Sequence, residues 1–227
     1  MTEPRWIRLS GPAAGIVFVV LLVVGTTLAQ GVPTPDKSAE TTLTWYASHR
    51  GTVLAFGLVS GLGAMVFLWF LAHLRHTVSG HPAGVRVAGT LAISGTAMAT
   101  TAMVSTLPPV ALAILANRPG VIPDPSLVRM LADLNSLFFA AIGLFFVVFA
   151  VALALTFFLG ALAPKWVGWI ALVAGILGLV SSSAAYFPHT SGKPLALTFL
   201  AFIALIGLLV SLLVTCITML RTETATT

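Results

Sequence analysis

The chain alternates long apolar runs with short polar breaks. Six runs are long enough to cross a hydrocarbon layer, which takes about 20 apolar residues per helix. They cover residues 13–31, 50–74, 87–107, 137–161, 166–186 and 195–219. The pattern predicts an all-α, polytopic membrane bundle of six transmembrane helices in a single transmembrane domain over 1–227.

The breaks are unequal. Those after the second and fourth runs are short, whereas 30–49 and 108–132 are longer and rich in proline. "PTPDKSAETTLTWYASHRG" reads as a helix leading into the second run, capped by Thr34 or Asp36 with Pro35 in its first turn. "VIPDPSLVRMLADL" has the same logic, with Asp124 as N-cap and Pro125 at the first helical position. "PPVALAILANRPG" is an apolar stub after the third run. Pro108 and Pro109 remove two amide donors there and end or kink the helix before them. The stub and the 30–49 segment together predict a small extracytoplasmic cap. "FPHTSGKP" joins the last two runs and adds a third proline-marked connection, but this match is short and proline-driven and does not amount to a repeat.

The first run follows Arg5 and Arg8 and ends in "TLAQ". This is also the layout of a signal peptide cut after Ala29. Taken as a span, it makes the number of crossings even and puts both termini on one side. That side then carries Arg5, Arg8, Arg75, Arg86, Lys165 and Arg221, against Lys37, Arg50, Arg118, Arg129 and Lys193 on the other. Positively charged loops favour the cytoplasm, so both termini are expected there. Trp6, Trp69, Trp166 and Trp169 fall near the inner interface, and Trp45, Tyr46 and Tyr186 near the outer one. Their rings are apolar and their N–H or O–H groups seek water, which suits that depth.

Composition removes the soluble alternative. Hydrophobic residues make up 58% of the chain and charged ones 7%, where a soluble domain carries about 25% charged residues. Too few charges are present to cover a water-facing surface. The basic residues lie singly, which argues against nucleic acid and for membrane lipids with anionic headgroups as partners. Cys216 is the only cysteine, so an intramolecular disulfide and a CxxC redox pair are excluded.

Small residues mark helix contacts, because lipid provides no hydrophobic drive between helices and backbones must approach closely. Gly57-x-x-x-Gly61 and Ala171-x-x-x-Gly175 have this form. The first can face a neighbouring subunit or the bundle, which leaves the oligomeric state open. Gly89, Ser94, Gly95, Ala97, Ala99 and Ala102 predict that the third span lies at the bundle centre.

Candidate chemistry is sparse. Asp133 precedes the apolar run of the fourth span. Counting back about 20 residues from Ala161 reaches Ile142, and Asp133 lies roughly 13 Å further out. This depth is the outer headgroup zone, where Arg129, four residues earlier, or Arg50 can pair with it. With Asp133 outside, no Asp, Glu, Lys or Arg remains in the middle of a span. Ion-coupled transporters usually carry such residues. Asp133, Asn135, Arg50, Arg129, Tyr186 and His189 are the candidates for a ligand-binding mouth. Thr100, Thr101, Ser105 and Ser182 are the candidates for lining a cavity. Such hydroxyls also bond their own helix at i−4, and that is the blander reading.

His73, His76 and His81 form the only histidine cluster. "HLRH" has metal-binding spacing, but no carboxylate or cysteine lies nearby to complete a site. No histidine is central enough to hold a membrane haem, and no metal or other cofactor is implied. HExxH, GxSxG and P-loop patterns are absent.

"HRGTVLAFGLVSGLGAMVFLWFLAHLR" and "LAPKWVGWIALVAGILGLV", in an Ala/Val/Gly-rich chain, resemble uncharacterised multi-span integral membrane proteins of actinobacteria. The resemblance implies the plasma membrane of a high-GC bacterium and brings no activity. Three functions remain open at this point. They are non-enzymatic binding of a lipid, small molecule or partner protein; uncoupled permeation or transport; and enzyme action on a lipid through Asp133 and a histidine.

Overall fold

The computed structural model describes residues 4–34, 37–120, 123–162, 164–183 and 195–225. Among these it is all-helical: α1 (Arg5–Leu28), α2 (Ala39–Ser48), α3 (Arg50–Ser79), α4 (Val85–Ser105), α5 (Leu107–Ala116), α6 (Pro125–Phe158), α7 (Lys165–Ser183) and α8 (Leu195–Ala225). Six helical segments are long and apolar enough to cross a membrane, and the chain is built as a multi-pass membrane protein.

Local chemistry sets the helix starts. Asp124 Oδ1 accepts from the Ser126 amide at 2.7 Å and the Ser126 hydroxyl at 2.6 Å. Pro125 then opens α6 at the position where a missing N–H costs nothing. The hydrogen bonds from the Ser126 side chain and then its amide hold the Asp124 carboxyl below its ordinary value. Pro108 and Pro109 likewise occupy the first turn of α5, which Thr106 alone separates from α4. The cap of α2 differs from expectation. Ser38, not Thr34, accepts from the Thr41 amide, because the helix begins later; Pro35 and Asp36 lie outside the described residues.

The spanning helices form a ring in chain order. α1 packs on α3, α3 on α4, α4 on α6, α6 on α7, α7 on α8, and α8 returns to α1. Large side chains fill the middle. Phe67, Phe70, Phe149, Leu153 and Leu212 are all essentially inaccessible. The rings of Phe18 and Phe67 lie 4.5 Å apart, and those of Phe67 and Phe149 lie 5.8 Å apart edge to face. Aromatic pairs prefer such tilted geometries.

α4 is one wall of the ring and not its centre. Its Ile93 is 74% exposed, and the space where a Cβ of Gly89 would stand is open. The small residues serve close approach instead, since a Cβ on Gly95 would meet Leu71 and Phe149. The tightest seam joins α6 to α7. Gly143 abuts Ser182, Gly175 abuts Ala150, and Gly178 lies against the Phe146 ring. In the other motif, Gly57 abuts Val110 of α5, whereas Gly61 has open space beside it.

A second, smaller core forms the cap at the end opposite the termini. Ala39, Tyr46, Val53, Leu112, Ala113 and Val128 are buried together there. They come from α2, the start of α3, α5 and the start of α6. The expected lid of stub and 30–49 segment is thus formed by α2 packing on α5. Burial pushes the Tyr46 hydroxyl up to about 12.

Candidate functional site

Two hollows on the described surface carry charged side chains. The first lies between α4 and α6, toward the end that holds the termini. It has a volume of about 410 Å³. Val87, Val147, Val148, Val151, Ala152 and Leu155 make its apolar walls, and Arg86 and Thr90 are its polar members. The α6 residues recur at helical spacing, so one stripe of that helix lines the hollow. Arg86 lies in the first turn of α4. In the sequence it is legible only as a border charge. Nothing local in the sequence says that the α4 and α6 faces meet.

The second hollow is open and shallow, about 420 Å³, on the cap end of α6. Asp133 and Arg129 line it with Ser126, Met130, Leu134 and Leu137. Both charged side chains are exposed. The expected ion pair does not form, because each side chain is hydrated where it stands and holding the pair would cost rotamer freedom. Arg50 is exposed and does not line this hollow. Asn135 lies on the same helix; its Oδ1 is shielded from solvent and has no hydrogen-bond partner. Tyr186 and His189 lie outside the described residues.

The hydroxyl candidates line neither hollow. Ser105 donates to the Ala102 carbonyl of its own helix at 2.7 Å, Thr100 is exposed, Thr101 is half-buried, and Ser182 is packed on Gly143 across the α6–α7 seam. Backbone capture of the hydroxyl, the blander reading, describes Ser105.

At the opposite end a polar cluster ties α1 to α3. Trp69 Nε1 donates to Ser10 Oγ at 3.2 Å, and Ser10 donates to the Ile7 carbonyl at 2.7 Å. His73 Nε2 stands 3.4 Å from the same hydroxyl, and its Nδ1 faces the Trp69 carbonyl at 3.1 Å. His73 is therefore occupied in a helix joint, while His76 and His81 are exposed. Among the described residues, no three His, Cys, Asp or Glu side chains converge as metal ligands would.

The fold and its surface hollows fall within one stretch known from other chains. A family model for a domain of unknown function, DUF4386, matches residues 13–215. The chain belongs to the DUF4386 family. The DUF4386 match takes in the whole cap, the α4–α6 hollow and the Phe67–Phe149 centre. No curated protein and no solved structure matches the chain.

Proposed function

We propose that this DUF4386 protein is a non-enzymatic binding protein of a bacterial plasma membrane that holds a membrane lipid on the outside of its helix ring. The observation that carries this reading is the filled centre. Phe67, Phe70, Phe149 and Leu212 occupy the space that a solute would have to cross. A permeation path needs a wetted lining of carbonyls, hydroxyls or charges, and these side chains supply none. No described Asp, Glu, Lys or Arg stands in the middle of a spanning helix, where a coupled ion would be held. An enzyme reading built on Asp133 and a histidine gains no support from a carboxylate that is exposed on an open surface. Arg86, Arg75, Arg8 and Lys165 at the termini end support cytoplasmic termini.

Two measurements on one preparation test the reading. Native mass spectrometry of protein released gently from membranes is expected to show discrete lipid masses. Liposomes carrying the protein are expected to leak small ions and polar solutes no faster than empty ones. A protein-dependent flux, abolished by replacing Phe67 or Phe149 with tryptophan, would overturn it in favour of transport.

A further inference from the structure

The α4–α6 hollow combines an apolar groove with one cation, Arg86, at its border end. This inference rests on the binding reading and names its place and its ligand. From Leu155 to Val147, α6 rises by roughly 12 Å. Half of the hydrocarbon core is roughly 15 Å. The apolar walls therefore have about the length of one leaflet's hydrocarbon layer and reach from the termini side to about the midplane. Arg86 stands at the border end of the groove, and Thr90 lies one turn further in. No carboxylate lines the hollow beside Arg86.

We propose that this groove binds an anionic phospholipid of the leaflet on the termini side, with one acyl chain along Val87, Val147, Val151 and Leu155 and the phosphate on Arg86. Guanidinium matches a phosphate diester with two parallel N–H···O bonds, a geometry that a point charge does not reproduce. A zwitterionic headgroup carries an ammonium beside its phosphate, which offsets part of the attraction to Arg86. A net negative headgroup lacks that offset, so the site discriminates by headgroup charge while the walls accept either lipid's tails. The walls also explain why a free phosphate would not suffice. It would leave the apolar part of the groove to be filled by a bulk lipid tail.

The test is a competition on the full chain in a non-ionic detergent. Phosphatidylglycerol and phosphatidylcholine with identical acyl chains are added in equal amounts, and bound lipid is counted by native mass spectrometry. The wild type is expected to favour phosphatidylglycerol by about tenfold, the ratio that one charge-assisted contact gives. Arg86→Gln is expected to bring the ratio near one, chiefly by lowering phosphatidylglycerol occupancy, and a thermal unfolding midpoint equal to that of the wild type reports that the variant is folded. Val151→Trp, which fills the groove, is expected to lower both occupancies. Arg118→Gln, at the other end of the molecule, is expected to change neither. An Arg86→Gln variant that keeps the wild-type preference overturns this site and leaves the general lipid-binding reading standing. A wild type that retains neither lipid overturns both.

Discussion

The Phe67 and Phe149 rings meet edge to face, 5.8 Å apart, across the middle of the helix ring. They come from α3 and α6, which have no direct run of backbone contact of the kind that neighbouring helices show. The pair therefore bridges the ring where the helices do not. Replacing Phe67 with Ala is expected to lower stability by ~3 kcal/mol, the low end for a buried Phe truncation. A denaturation series in mixed micelles checks this. A variant as stable as wild type would show that the ring closes without its centre.

The α6–α7 seam sets a second expectation. A Cβ on Gly143 would overlap the Ser182 side chain. Gly143→Ala is expected to cost about 2 kcal/mol, as overpacking does, and Gly143→Ala with Ser182→Gly to recover most of it. Gly61→Ala is the internal control. It meets open space and is expected to gain up to about 1 kcal/mol from helix propensity. Thermal unfolding of the four proteins side by side decides the matter.

The cap has a pH signature of its own. Burial raises the Tyr46 hydroxyl from 10.0 to about 12. A hydroxyl that holds its proton more tightly in the folded state contributes fully below pH 10 and loses that contribution as pH rises through about 12. The cap is thus expected to loosen between those values, seen as faster hydrogen exchange in α2 and α5. Tyr46→Phe should remove the transition. Loosening that persists in Tyr46→Phe would assign it to another group.

At the termini end, the Ser10 hydroxyl accepts from Trp69 Nε1 while it donates to the Ile7 carbonyl. Ser10→Ala leaves the Trp69 indole N–H without its protein partner. A net loss of about 1 kcal/mol is expected, together with a changed Trp69 emission. Gly11→Ala should be worse than Ser10→Ala, because a Cβ there would overlap His73. Equal effects in the two variants would mean that the joint is held by polarity and not by close approach.

Much of this molecule is legible along the chain. Apolar run length sets the six crossings, since lipid demands that every backbone group be paired within its own helix. Pro108, Pro109, Asp124 and Pro125 mark where α5 and α6 begin, because capping and proline geometry act within a turn. Other features depended on which faces meet. Small residues on α4 read as a central helix, yet any seam in lipid uses small residues, and only the ring order shows that α4 is a wall. The spacing of Arg129 and Asp133 permits an ion pair, but exposure leaves each charge hydrated. Arg86 reads as one border charge among several until α6 brings Val147, Val151 and Leu155 beside it. Local rules act over a turn of helix and are written in neighbouring residues. The filled centre and the α4–α6 groove join residues some sixty to eighty positions apart, and only packing decides such meetings.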